Sequence, residues 1–218
     1  MSQFPPETRY VKVNGAQVGY QVVGDGPIDL VFASGLGNHI DLAWDLAPAA
    51  ALTRDLASIS RYIVFDRRGT GVSDPISRDT ATTWEDWTED IRAVLDAVDS
   101  RRAAVMAATD TATMAILFAA TQPERVSRLV LVNAAARNLQ DDDYPFGMPA
   151  AGVDALVGMV EQAWGTSEFA RASFRAGLMT KSSFGSRPGW LARRLRRVAQ
   201  RHRWTTSVAT WMLGRRCP

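Results

Sequence analysis

The sequence predicts an α/β fold with a mostly parallel sheet, on three observations. Short apolar runs alternate with amphipathic segments through the first 135 residues, which is the order of a sheet with helical crossovers. The runs lack the polar alternation of half-exposed strands, as is typical of parallel strands covered on both faces. After Asn133 no strand-like run follows, so the remainder is expected to be helical. A chain of 218 residues, 46% of them hydrophobic, is long enough for one such domain with a helical addition.

Local signals place the strands. Residues 10–13 and 17–23 predict an N-terminal antiparallel hairpin, because Asn14 and Gly15 between them are turn residues. With the hairpin, the later strands make a sheet of about six. These later strands are predicted as short, continuous apolar runs at residues 28–33, 62–65, 103–106 and 129–133.

Helices are predicted between and after the strands. Thr83 can cap one of them, with Asp86 three residues on, and Pro123 stops the next. The acids from Glu85 to Asp90 are interpreted as an acid-rich first turn rather than as an acid–base pair. The core helices are expected at residues 42–59, 83–98 and 112–122, and those of the C-terminal region at residues 153–164, 167–180, 188–202 and 207–213.

A loop divides the chain. The string DDDYPFGMP at residues 141–149 is typical of a boundary, so we expect a core over residues 1–140 and a helical cap-like segment over residues 141–218. The C-terminal part is basic, since residues 151–218 hold 12 basic and 3 acidic residues whereas residues 1–150 hold 13 and 20. Its Arg-rich run favours a solvated face, with docking to an anionic surface kept as an alternative and no specific nucleic acid expected.

Composition excludes several kinds of site. With one cysteine, Cys217, the chain has no internal disulfide framework, and with only His39 and His202 besides it offers no transition-metal site. No cofactor is expected either. No stretch reaches the roughly 18 apolar residues that cross a bilayer, and residues 1–30 carry no secretory pattern. We therefore expect a cytoplasmic protein without a transmembrane segment.

One string is specific enough to indicate a family. Residues 66–74, DRRGTGVSD, resemble the DxRGxGxS turn of the α/β-hydrolase family, and the order of elements around it also fits. The resemblance covers residues 8–137. It is closest to the hydrolase-like domain found upstream of class III nucleotide cyclases in some bacterial proteins, whose DYP-G string recurs at residues 143–147. It implies an α/β-hydrolase-like sheet with about six strands present and the last two missing, and a C-terminal helical cap region.

The family's nucleophile elbow, GxSxG, is altered here. The matching residues 107–111 read AATDT, so that Thr109 stands at the nucleophile position. A threonine hydroxyl can attack a carbonyl, but the elbow holds its residue at backbone angles that a β-branched side chain rarely adopts. Thr111 adds bulk where close packing is needed, and Asp110 is interpreted as a helix-start carboxylate. The resemblance therefore implies ester-hydrolase ancestry with impaired catalysis.

The resemblance implies further site residues. The backbone N–H groups of Leu36 and Asp110 would form the oxyanion hole, a pocket able to hold a carboxylate, a phosphate or water. His39, two residues after the glycine loop of residues 34–37, is a candidate for lining the pocket. The triad acid and histidine would follow on later strands, which are expected to be absent from a truncated chain. His202 is interpreted as a solvated cap residue.

Three functions stay open at this point. The first is a catalytically inactive or impaired α/β hydrolase, the second an active hydrolase of small esters that uses Thr109, and the third an interaction module that docks an anionic partner. A small ester or acyl ligand is expected in the first two. If the sheet ends at residues 129–133, its unpaired edge also predicts a homodimer.

Overall fold

The computed structural model describes residues 5–35, 38–76 and 82–163, and the chain divides into two compact units. The first unit comprises Met1–Pro75 and Thr82–Ala134, and the second comprises Ile76–Ala81 and Ala135–Pro218. In the part of the chain described, no helix is both long and apolar enough to span a bilayer. The expected boundary between core and cap at residue 140 stays a prediction.

The first unit is built on a six-stranded sheet with the strand order β1-β2-β4-β3-β5-β6. The hairpin strands β1 and β2 and the pair β2 and β4 are antiparallel, and the other pairs are parallel. The predicted hydrolase-like, mostly parallel sheet of six strands is therefore confirmed. The strands are β1 (Arg9–Val13), β2 (Ala16–Val23), β3 (Asp29–Ser34), β4 (Arg61–Asp66), β5 (Ala103–Ala108) and β6 (Val126–Val132).

Three α-helices accompany this sheet, at α1 (Ala47–Ile59), α2 (Trp84–Ala97) and α3 (Ala112–Thr121). The helix predicted over residues 42–59 is interrupted, since a 3-10 turn ends at Asp45 and Leu46 is extended. Pro48 explains the interruption, because its ring has no N–H and would collide with the carbonyl four residues earlier in a continuous helix. The predicted cap of α2 is present: Thr83 Oγ1 accepts from the N–H of Asp86 at 3.2 Å, and its own N–H donates to the Asp86 carboxylate.

Helices cover both faces of the central strands. Leu56 and Ala57 of α1 pack on a buried cluster that includes Leu30, Tyr62 and Val64. Alternate residues of a strand point to opposite faces, so the equally buried neighbours of these strand residues face the other way, where α2 and α3 pack together. The fully buried apolar side chains of α2 and α3 are Trp87, Ile91, Val94, Leu95, Ala112, Met114, Ala115 and Phe118.

Strand β6 lies at the edge of the sheet. Within the described residues it pairs with β5 alone, and Leu129, Val130, Leu131 and Val132 are 38–43% exposed. The sequence predicts an unpaired edge if the sheet ends at residues 129–133, and the edge position leaves these apolar side chains without a neighbouring strand. The homodimer expected through this edge stays a prediction.

The second unit begins with a compact loop and continues into α4 (Ala150–Ala163). Arg137 pairs with Asp143 at 2.6 Å and stacks on Tyr144, whose hydroxyl accepts from the N–H of Ala136 at 3.0 Å. Gly147 fits because a Cβ there would overlap the backbone of Leu139. The helices predicted after residue 164 lie outside the described residues.

Candidate functional site

Three turns meet at one edge of the sheet. Strands β4, β3 and β5 are parallel neighbours in that order, and the register places Ser34, the last residue of β3, beside Asp66, the last residue of β4. The next residues along the chain, Gly35, Arg67 and Thr109, therefore lie above the carboxyl ends of these strands. Open α/β sheets bind their ligands at this edge.

Asp66 is the structural centre of the turn after β4. Its side chain is fully buried and accepts hydrogen bonds from Ser34 Oγ and from the N–H groups of Ile40 and Val72, both at 3.0 Å. Gly71 has φ +54°, and a Cβ on it would overlap the Asp66 carboxylate. The spacing of Asp66 and Gly71 in the DRRGTGVSD string thus shapes the turn.

Arg68 and Asp90 form a buried ion pair beneath this turn. Arg68 donates to Asp90 Oδ1 from Nε at 2.8 Å and from a terminal nitrogen at 2.5 Å, and its backbone N–H donates to Oδ2 at 3.0 Å. Burial raises the pKa of Asp90, although Arg68 opposes this effect. The interpretation of Asp90 as part of an acid-rich first turn is wrong. Asp90 lies beyond the first turn of α2, and its side chain is fully buried.

Thr109 occupies a strained strand-to-helix turn. It follows β5, opens a 3-10 turn that leads into α3, and has φ +52°. A left-handed conformation costs a residue with a Cβ roughly 1–2 kcal/mol. The side chain is exposed, and Oγ1 donates to Asp110 Oδ1 at 3.1 Å. The nucleophile position is thus held in the left-handed conformation, with its hydroxyl engaged by a carboxylate.

Thr109→Gly is expected to raise the free energy of unfolding by about 1 kcal/mol, because glycine adopts this conformation without the Cβ cost. Urea unfolding of the purified variant measures the effect. Thr109→Ala is the matched control, since it removes the same hydroxyl and keeps the Cβ, and we expect no gain from it. If Thr109→Gly is less stable than Thr109→Ala, the left-handed backbone at residue 109 does not destabilise the protein.

Thr111 is accommodated better than the sequence suggests. It is 1% exposed, and its hydroxyl lies 3.0 Å from the carbonyl oxygen of Ala108 and 3.3 Å from that of Ala33. It also accepts from the N–H of Ala108 at 3.2 Å. The threonine side chain therefore connects the ends of β3 and β5, where the resembled motif has glycine.

Asp110 lies in the 3-10 turn that opens α3, as the helix-start interpretation predicts, and it also pairs with an arginine. Its Oδ2 accepts from a terminal nitrogen of Arg67 at 2.7 Å. Arg67 is 1% exposed, and its guanidinium lies 4.1 Å from the ring centre of the fully buried Trp87. A Cβ on Gly35 would be 2.6 Å from Asp110 Oδ1, so the carboxylate packs closely against Gly35. No local pattern in the sequence predicts this contact of Arg67, although Arg67 belongs to the DRRGTGVSD string.

His39 lies in the interior rather than on an open loop. It is 7% exposed, its Nδ1 accepts from the N–H of Leu42 at 3.5 Å, and its carbonyl accepts from the N–H of Ala43 at 3.0 Å. It is the only histidine in residues 5–35, 38–76 and 82–163. Its role in lining a pocket stays a prediction, as does the oxyanion-hole role of the Asp110 N–H.

Several predicted site residues lie outside the part of the chain that the structure describes. They are Leu36, the other expected oxyanion donor, His202 and the Arg-rich run of residues 193–203. In the ranges that are described, no group of three or more His, Cys, Asp or Glu side chains could hold a metal ion.

Comparisons with known proteins identify the fold. The model of the alpha/beta hydrolase fold family matches residues 30–208. An esterase from Exiguobacterium antarcticum superposes with a TM-score of 0.67 at 18% identity, over 95% of this chain and 73% of its own. A hydrolase from Pseudomonas aeruginosa gives 0.60 at 23% identity, over 88% and 72% of the two chains.

Not every similar structure is a hydrolase by name. The bottromycin epimerase BotH, solved in complex with bottromycin A2, gives a TM-score of 0.66 at 21% identity, over 95% of this chain and 72% of its own. A search of the curated proteins finds no match. At such identities the solved structures show the fold alone, because one fold hosts many activities.

Proposed function

Because this chain belongs to the α/β hydrolase fold family, we propose that it is a protein of ester-hydrolase type with impaired catalysis. It would bind a small ester or acyl ligand at the carboxyl ends of β3, β4 and β5 with little or no turnover. One observation carries the proposal: Thr109 holds the nucleophile position at φ +52°, with its hydroxyl donating to Asp110.

The chemistry of acyl transfer explains the expected impairment. A hydroxyl nucleophile needs a base that removes its proton as it attacks, and imidazole serves this purpose in the Ser-His-Asp arrangement. Here the hydroxyl proton points to a carboxylate that also pairs with Arg67. Carboxylates are weaker bases than imidazole. A negative charge beside the nucleophile would also oppose the oxyanion that forms during attack.

The same contact supports a second candidate, an active hydrolase of small esters. Asp110 Oδ1 lies 3.1 Å from Thr109 Oγ1, within reach for a general base. In this alternative Thr109 Oγ1 would attack the ester carbonyl while its proton passes to the Asp110 carboxylate, and that proton would go to the alcohol that leaves as the carbonyl–oxygen bond breaks. Water would then release the acyl group from Thr109 as the free acid.

Hydrolysis of p-nitrophenyl acetate and butyrate separates the two candidates. We expect the wild-type protein and Thr109→Ala, at equal concentration, to hydrolyse both esters at the same rate, and Thr109→Ser to give no increase. Activity that disappears in Thr109→Ala and rises in Thr109→Ser would overturn the proposal and establish Thr109 as the nucleophile. Circular dichroism of each variant controls for folding.

The proposal also covers the nearest relatives of the chain, its cellular location and an anionic partner. Within the family we place the chain nearest the hydrolase-like domain found upstream of class III nucleotide cyclases, on the DYP-G string of residues 143–147. The cytoplasmic location and the docking of an anionic partner through the Arg-rich run stay predictions.

A further inference from the structure

We propose that the Arg67–Asp110 ion pair is an internal latch on an anion-binding site, in which the Asp110 carboxylate takes the place of a small carboxylate ligand. The ligand class is a short-chain monocarboxylate, the acid part of a small ester. The inference rests on the proposed function, since it names what the same site would hold.

The position of the ion pair is the first argument. Arg67 follows β4 and Asp110 follows Thr109 after β5, and β3 lies between these two strands in the sheet. The pair therefore crosses above the end of β3, where Gly35 allows close approach. Asp110 Oδ1 would lie 2.6 Å from a Cβ on Gly35. The carboxylate thus lies at the edge of the sheet where open α/β sheets take their ligands.

The two partners differ in burial, which is the second argument. The Arg67 side chain is 2% exposed, whereas that of Asp110 is 25% exposed. The guanidinium lies over Trp87, whose own indole N–H donates to the carbonyl of Arg68 at 3.3 Å. The cation is thus fixed from below, and the anion reaches it from the solvent side. A planar guanidinium binds a carboxylate from a ligand as readily as one from a side chain.

The neighbouring carboxylates of the turn have other donors. Asp66 accepts from Ser34 Oγ and from the N–H groups of Ile40 and Val72, and Asp90 accepts from Arg68. Asp110 accepts from Arg67 at 2.7 Å, and the charge of Arg67 also acts on Asp90. Removing the Asp110 side chain takes a hydrogen-bonded carboxylate away from this buried cation and leaves a space of carboxylate size, which a small anion can fill.

Chemical rescue tests the latch. We expect Asp110→Ala to melt below the wild-type protein, and sodium acetate or butyrate to raise its Tm above the effect of sodium chloride at equal ionic strength. By isothermal titration, butyrate should bind Asp110→Ala at least tenfold more tightly than it binds the wild-type protein. The double variant Asp110→Ala with Arg67→Met is the control, and the carboxylates should give no such rise in its Tm.

Two results would overturn the proposal. If acetate and butyrate stabilise the single and double variants equally, the pair is a structural cross-link. If butyrate binds the wild-type protein as tightly as Asp110→Ala, there is no latch. Should Asp110→Ala fail to fold, Asp110→Ser removes the charge, still opens space beside Arg67 and takes the same measurements. Neither readout depends on turnover, so the result stands apart from that of the ester assay.

Discussion

Asp90→Ala is expected to lower the free energy of unfolding by about 3–5 kcal/mol, because it leaves the guanidinium of Arg68 buried without its carboxylate. Asp90 is fully buried and accepts three hydrogen bonds from Arg68. The loss should also loosen the turn after β4, since one of these bonds comes from the backbone. Urea unfolding at neutral pH measures the change.

Glu89→Ala supplies the matched control on the same helix. Glu89 accepts from Arg92 Nε at 2.9 Å, but both side chains are partly exposed, at 33% and 42%. Ion pairs of this kind contribute at most about 1 kcal/mol. The two substitutions remove the same charge from neighbouring positions, so equal losses of stability would contradict the role given to burial.

Gly71→Ala is expected to cost about 3 kcal/mol or more of the free energy of unfolding. The backbone there has φ +54°, and the added Cβ would overlap the Asp66 carboxylate. That carboxylate cannot move away without breaking its bonds to Ile40 and Val72. Urea unfolding measures this loss, and the free energy of each protein is calculated from the midpoint and slope of its own transition.

Gly15→Ala separates conformation from collision. Gly15 has φ +88° in the hairpin turn, but a Cβ there would meet no atom within 4 Å. We expect about 1 kcal/mol from the backbone alone. If Gly71→Ala costs no more than Gly15→Ala, the overlap with Asp66 is not a constraint on the turn.

Much of the fold follows from local sequence signals. The strands are short apolar runs bounded by turn residues, and Thr83 with Asp86 forms the predicted cap of α2. The break near Leu46 was open to prediction as well, because Pro48 cannot continue a helix from the preceding turn. The exposure of β6 depends instead on what lies beside it in the sheet, which a strand's own residues do not encode.

The site was less predictable, because its contacts join residues far apart in the chain. The position of Thr109 follows from the elbow string, and the structure gives it the strained backbone that such a position implies. Arg67 and Asp110 are 43 residues apart, and they meet only because β4 and β5 flank β3. Asp90 lies on α2, 22 residues after Arg68, and the two meet only in the folded protein. No local pattern distinguishes such partners from solvated charges.

The edge position of β6 also affects the solubility of the protein. Leu129–Val132 is a run of four partly exposed apolar residues with strong β-propensity, and Arg128 is the charge next to it. Runs of this kind template intermolecular strand pairing and precipitation, and a flanking charge slows both. We therefore expect intermolecular association through β6, rather than the free energy of unfolding, to limit the solubility of the protein.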